Sequence, residues 1–174
     1  MNLSDRCKPI RAVVLDIDGV LTDGRIGYGC GSDEEIKFFH VRDGHGIVMA
    51  RRAGLTVGVL SGRASAANRR RAAELKLDFV YESELDKAAG FDRLLEEQHL
   101  APEEIMYIGD DVVDIPVFNR VGLAVCVGDA PDYLDNYVHW RTCSFGGDGA
   151  VREAVEQVLR SQGKWEKLME RYDR

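Results

Sequence analysis

The chain has 174 residues, 45% hydrophobic and 30% charged, enough for a substantial core. Its 23 Lys and Arg against 30 Asp and Glu give a net charge of −7, which argues against a nucleic-acid or anionic-membrane surface. The four cysteines are far apart with no C-x-x-C pair, a spacing that fits neither a zinc site nor a disulfide framework and suits a reducing cytoplasm. Residues 1–11 lack the apolar stretch of a signal peptide, and no apolar run approaches the length of a membrane span.

The first predicted element is the run Val13-Val14-Leu15, which ends in Asp16-Ile17-Asp18-Gly19. Such a run reads as a strand buried on both faces of a parallel sheet. Side-chain alternation directs Asp16 and Asp18 the same way, about 7 Å apart on extended backbone. They would repel unless a cation or a shared proton intervened. A turn is the plain alternative for Asp18-Gly19, but it leaves Asp16 unexplained. Residues 22–39 then give two short β-type runs around a Gly/Ser/Asp-rich tip, a projecting hairpin.

A helix is expected from just after Asp43-Gly44 to Ala53, with Gly54 as its stop. A second strand spans 55–60 and ends at Ser61-Gly62-Arg63; an Ala- and Arg-rich helix follows over 64–75. A short third strand covers 78–81, a helix 87–99, and a fourth strand 105–108, ending at Gly109-Asp110-Asp111. After a short helix over 114–121 comes a fifth strand, 123–127, and then a loop carrying Asp129, Pro131 and Asp132. The last amphipathic helix spans 151–159. Gly163 leads into a polar tail in which Trp165, Leu168, Met169 and Tyr172 recur at near-helical spacing, suited to docking. Strands alternating with helices predict an α/β fold: a doubly wound, three-layer α/β/α, Rossmann-like arrangement around a central parallel sheet. The expectation is one domain over 1–174, with a β-hairpin inserted after the first strand and no cap domain.

Polar residues recur where these strands end: Asp16 and Asp18, then Ser61 and Gly62, then Asp110 and Asp111, with Lys87 opening the helix after the third strand. Strand ends of a parallel sheet share one edge, so these groups should converge. Several acids with one lysine and one hydroxyl invite a hard divalent cation, and Mg2+ fits best because it takes oxygen ligands and leaves positions for a phosphate. Such a site can attack phosphorus with one carboxylate while a second acid moves the proton.

Together Asp16-Ile17-Asp18-Gly19-Val20, Ser61, Lys87 and Gly109-Asp110-Asp111-Val112-Val113-Asp114 resemble the motif set of the haloacid dehalogenase superfamily. The resemblance narrows to the 3-deoxy-D-manno-octulosonate 8-phosphate phosphatases. It does so through Asp18-Gly19-Val20-Leu21-Thr22-Asp23-Gly24, Val41-Arg42-Asp43-Gly44, Ser61-Gly62-Arg63 and Gly146-Gly147-Asp148-Gly149-Ala150-Val151-Arg152-Glu153.

This resemblance implies that Asp16 is nucleophile and magnesium ligand, and that Asp18 is general acid/base and a ligand through its carbonyl. It makes Asp110 the third ligand, with Asp111 and Asp114 supporting from behind. Ser61 and Lys87 would hold the phosphoryl group, and Asp18, His40, Val41, Arg42, Asp43, Gly44, Gly62, Arg63, Arg71 and Lys87 would contact substrate. It further implies a homotetramer built through the hairpins, a tail able to reach a neighbouring site, and a place in the cytoplasmic route to lipopolysaccharide. The substrate would be a small sugar-acid phosphate, with no nucleic-acid or membrane partner.

Each piece has a plainer reading. Lys87 alone would be a surface lysine, Ser61-Gly62 a strand-to-helix turn, and Asp114 a helix cap. Arg69 and Arg70 read as a solvated face, whereas Arg63 and Arg71, eight residues apart, should share one helical face towards the phosphate. His40 stands where the family usually has asparagine, and Glu82-Ser83-Glu84-Leu85-Asp86 lacks the Gln-Gly often seen before the lysine. His45, His99 and His139 read as structural or surface residues. Relatives acting on nine-carbon sugar acids tend to carry Glu where Arg63 stands, so the eight-carbon substrate is favoured. A non-catalytic oligomerisation module is the alternative of a different class, and a receiver domain fits less well because its phosphoacceptor lies on a later strand.

Overall fold

A computed structural model describes residues 1–31 and 35–173. A short helix, α1 (Leu3–Cys7), leads into β1 (Ala12–Leu15), whose side chains are all buried. The hairpin ladder is brief, β2 (Gly27–Tyr28) against β3 (Glu35–Ile36), and the expected tip residues Ser32, Asp33 and Glu34 lie outside the described residues. Then follow α2 (Val41–Arg52), β4 (Thr56–Leu60), α3 (Ala66–Leu75), β5 (Phe79–Tyr81) and α4 (Lys87–Gln98). The chain continues through β6 (Ile105–Gly109), α5 (Ile115–Phe118), β7 (Leu123–Cys126), β8 (Trp140–Arg141), α6 (Ala150–Ser161) and α7 (Trp165–Met169).

The strand order is β5-β4-β1-β6-β7-β8, with every neighbouring pair parallel. From β1 the chain builds outward to β4 and β5, then crosses back to β6 on the other side. Right-handed crossovers in opposite directions place helices on both faces: α2 packs with α6 and α6 with α1, while α4 packs with α5. This is the predicted α/β architecture. The central strands are sealed by both layers, and each large apolar side chain removed from water there contributes about 1.5–3 kcal/mol. The reversal between β1 and β6 opens a crevice at their carboxyl ends, the usual ligand position of such sheets.

Several local expectations need correcting. The segment after β7 supplies a sixth strand, β8, where a loop was predicted; a two-residue strand is too short to show alternation. It is held by Val125 and Cys126 of β7, by Arg141 donating to the carbonyls of Val127, Ala130 and Pro131, and by His139 Nδ1 accepting from Ala124 N–H. Helix α2 begins at Val41, not after Gly44, so Val41-Arg42-Asp43-Gly44 is its first turn. Helix α3 begins at Ala66, because the Ser65 side chain caps it by accepting from Asn68 N–H. The tail folds back on its own chain: Trp165 stacks under Arg160, and Tyr172 hydrogen-bonds His45 and Arg52 on α2. The cysteines are free, Cys7 and Cys126 buried and Cys30 and Cys143 exposed.

Candidate active site

The site starts from a tight turn at the end of β1. Asp16 N–H still donates to Ile108 O of β6, so the ladder runs into the first acid. The carbonyl of Ile17 then gathers the N–H groups of Val20, Leu21 and Thr22, and Thr22 Oγ1 accepts from Gly19 and Gly24. Gly19 has φ +89°, and a Cβ there would stand 2.0 Å from Asp110 Oδ2. Its lack of a side chain serves both the left-handed turn and the approach of Asp110.

Lys87, the first residue of α4, is aimed by its helix start: Asp86 caps α4 by accepting from Ala88 and Ala89 N–H. Lys87 Nζ is 2.7 Å from Asp16 Oδ2 and 2.5 Å from Asp114 Oδ1, and donates to Tyr107 OH at 3.1 Å. Burial disfavours the Lys87 charge, but Asp16 and Asp114 outweigh it and hold the ammonium above its ordinary pKa. Every oxygen of fully buried Asp114 is engaged: Oδ1 by Lys87 and Tyr107, Oδ2 by the N–H groups of Asp110 and Asp111. Asp114 is therefore a brace under the site that fixes both the lysine and the start of the Asp110 loop.

Asp16, Asp110 and Asp114 each bring an oxygen within 4.8 Å of the others. Burial, opposed by Lys87 and reinforced by Asp114, pushes Asp16 up to about 6. Burial with the charges of Asp16 and Asp114 pushes Asp110 up to about 8. Two acids this reluctant to ionise together fit a divalent cation between them: Asp16 carries one partner on each oxygen, Ile17 N–H on Oδ1 and Lys87 on Oδ2, whereas Asp114 carries two on each.

Asp18 turns to the hairpin side. Its Oδ1 accepts from Lys37 Nζ at 2.6 Å, and its Oδ2, buried without a hydrogen bond, is 3.6 Å from Arg63 Nε. Arg63 also pairs with Glu35 at 2.5 Å. A cavity of about 270 Å3 is lined by Asp16, Asp18, Ser61, Gly62, Arg63, Lys87, Asp110 and Asp111. Ser61 is buried, its Oγ accepting from Arg63 N–H. Asp111 points outward, accepting from Val112 N–H and Tyr133 OH, and does not brace the acids.

The remaining sequence candidates do not line the cavity of Asp16 and Lys87. Asp43 is buried at the α2–α6 contact, its oxygens accepting from Gly149 and Arg152 N–H, so it ties helices together. His40 stands between Asp43 and Asp148 at 3.8 and 3.6 Å. Val41, Gly44 and Arg71 line a shallow pocket, Arg71 also lines a cavity of about 460 Å3 with Glu35 and Lys37 of the hairpin side, and Arg42 is exposed. Arg71 donates to His40 O and lies 5.5 Å over the Phe39 ring. The expected shared face of Arg63 and Arg71 does not exist, because Arg63 precedes the helix cap.

Sequence reasoning missed Lys37, Glu35 and Tyr107. The signal for the first two was an inverted alternation: Ile36 and Phe38 point to solvent while the Glu35 and Lys37 side chains turn inward, that of Lys37 fully buried. Tyr107 carried none, since a tyrosine within an apolar strand reads as core.

Two acids, a buried lysine and a third acid across a β1/β6 switch point define a haloacid dehalogenase-like hydrolase, and a family profile of that description matches residues 74–153. The chain is 41% identical over 162 residues to the 3-deoxy-D-manno-octulosonate 8-phosphate phosphatase KdsC of Haemophilus influenzae, covering 93% of this chain and 89% of that one. It belongs to that phosphatase family. The crystal structure of the Yersinia pestis 3-deoxy-D-manno-octulosonate 8-phosphate phosphatase superposes with a TM-score of 0.91 at 38% identity, over 94% of this chain and 88% of that one. The Moraxella catarrhalis phosphatase, solved with a magnesium ion, a phosphate ion and a KDO molecule, gives 0.93 at 29% identity over 97% of each chain.

Proposed function

We propose that this protein is a magnesium-dependent phosphomonoesterase that hydrolyses 3-deoxy-D-manno-octulosonate 8-phosphate on the cytoplasmic route to lipopolysaccharide. The observation that carries the reading is one cavity holding Asp16 against Lys87, Asp110 opposite, and Asp18 on the open side. The Haemophilus and Yersinia relatives named for this reaction, and the Moraxella relative solved with its sugar, support the substrate.

Asp16 Oδ1, which among the described residues accepts only the Ile17 N–H, attacks phosphorus, forming the Asp16 O–P bond as the P–O8 bond of the sugar breaks. Asp18 gives its proton to the departing O8, then takes one from the water that splits the aspartyl-phosphate, releasing inorganic phosphate and restoring both acids. Lys87 keeps Asp16 ionised and, with Ser61, binds phosphoryl oxygens. Arg63 receives the sugar carboxylate through its forked guanidinium. Asp16, Asp110 and the Asp18 carbonyl would hold magnesium, which would neutralise the charge gathered between phosphate and acids.

The reading extends to assembly. Tyr28, Ile36 and Phe38 form an exposed apolar strip on the hairpin, which suits association of hairpins into a homotetramer. Phosphate release from a panel of eight- and nine-carbon sugar-acid phosphates with Mg2+, using wild type and Asp16→Asn, tests the function. Preference for the eight-carbon ester, lost in the variant, is the expected result; a nine-carbon preference overturns the substrate, and an active Asp16→Asn overturns the nucleophile. Light scattering tests the tetramer, which a fully active monomer would remove.

A further inference from the structure

A second cavity, of about 480 Å3, lies between the end of α2 and the tail, lined by Arg52, Ala53, Gly163, Lys164, Lys167, Leu168 and Arg171. Four of these side chains are cationic and none is acidic. Arg52 and Ala53 close α2 just before β4 begins. Gln162, beside Gly163, donates to the carbonyls of Cys7 and Ile10, just ahead of β1. The cavity therefore sits at the amino edge of the sheet, opposite the strand ends that carry Asp16, Ser61 and Asp110.

Most Lys and Arg side chains of this acidic protein are paired with a carboxylate, as in Arg51–Asp78, Arg63–Glu35 and Arg141–Asp135. Among the described residues Arg52, Lys164, Lys167 and Arg171 have no acid partner, although Glu166, Glu170 and Asp173 are close in sequence. Within the short α7 turn, Lys164 and Leu168 lie one turn apart on one face and Glu166 falls on another. Tyr172 OH accepts from Arg52 and so orients it at the rim. The neighbouring His45 imidazole is pushed below its ordinary pKa by burial and by Arg152, Arg52 and Arg171, in keeping with a positive field.

We infer that this groove binds a small polyanion, a phosphorylated metabolite carrying two or more negative groups. Its volume suits a molecule of that size, and four unneutralised cations around one concavity supply charge-assisted donors for several phosphate oxygens. A membrane surface is the poorer fit, because Trp165, Leu168 and Met169 pack against the core and leave no apolar face to insert.

The test uses the full chain and inorganic pyrophosphate in metal-free buffer, followed by calorimetry and by amide shifts in NMR spectra. Saturable binding that shifts residues 52–53 and 163–171 is expected, weakened about a hundredfold in Lys167→Glu/Arg171→Glu and less in Lys167→Gln/Arg171→Gln. Hydrolysis of p-nitrophenyl phosphate by both variants should equal wild type, which shows that they fold. Undiminished pyrophosphate binding in the double Glu variant overturns the inference, as do shifts confined to residues 61–63 and 110–111. Binding to vesicles of equal parts phosphatidylcholine and phosphatidylglycerol without binding to pyrophosphate overturns it as well.

Discussion

The two sides of the candidate active-site cavity are built to different rules. On the β1/β6 side, Asp16, Lys87, Asp114 and Tyr107 are buried and bonded to one another, and Asp114 has no oxygen left over. On the hairpin side, Asp18, Glu35, Lys37 and Arg63 share charges over mixed distances, and one oxygen each of Asp18 and Glu35 is buried without a hydrogen bond. The first network is closed and can hold reacting atoms to a fraction of an ångström. The second has spare acceptors, which the hydroxyl donors of a substrate can take up, while Arg63 can turn its guanidinium to a carboxylate. Under the proposed function, chemistry falls on the strand ends and recognition on the insertion.

The largest expected effect tests the closed side. Asp16→Asn should lower phosphate release by about three orders of magnitude or more, measured at saturating substrate and Mg2+, with unchanged circular dichroism. Asp114→Ala should act next, costing about 3 kcal/mol in urea unfolding, because it strips Lys87 of one partner inside the protein. A loss under about 1 kcal/mol would mean that the network is not the rigid unit described here.

Removing the cation exposes the frustration of the acids. Asp110 folds with its pKa raised to about 8, so the native state binds the extra proton between the unfolded value near 4 and that point. Stability of the metal-free protein should therefore fall as pH rises from about 4 to about 8. Asp110→Asn should flatten that slope and raise the metal-free melting temperature at pH 8, while abolishing the further rise that Mg2+ gives wild type. A metal-free melting temperature that climbs over this range would contradict the electrostatics.

On the adaptable side, Lys37→Met should raise KM about tenfold with a smaller change in kcat, read from steady-state kinetics on the sugar phosphate. A pure kcat effect would move Lys37 to the chemical side of the cavity. The smallest change lies outside both regions. Asp78 takes a forked contact from Arg51 and a bond from Val57 N–H, and its pKa is lowered although burial opposes this. Asp78→Asn should cost about 1 kcal/mol at neutral pH. In wild type that contribution is present above the unfolded carboxyl pKa and fades as pH falls through the depressed folded one.

The same contrast explains what could be read from the residues. Asp16, Ser61 and Asp110 were visible because each terminates an apolar run, and the parallel sheet turns sequence position into spatial convergence. Lys87 was visible because it opens a helix after a strand. The shared face of Arg63 and Arg71 was misread because it depended on where α3 starts, and the Ser65 cap decides that by a single hydrogen bond. Asp43 entered the substrate set through the family resemblance of Val41-Arg42-Asp43-Gly44, and its carboxylate accepts from the start of α6. Lys37 stayed hidden because burial of a charge is legible only with its partners, nineteen residues away in the case of Asp18.

Gly19 and Asp110 belong to different motifs separated by most of the chain, but they occupy one volume. A methyl group on residue 19 would fall where the Asp110 carboxylate now stands, 2.0 Å from its oxygen. The two positions are therefore a single steric unit. Variation at 19 acts on the cation site through space, and a library that randomises the first motif while holding Asp110 fixed should return glycine at 19 alone.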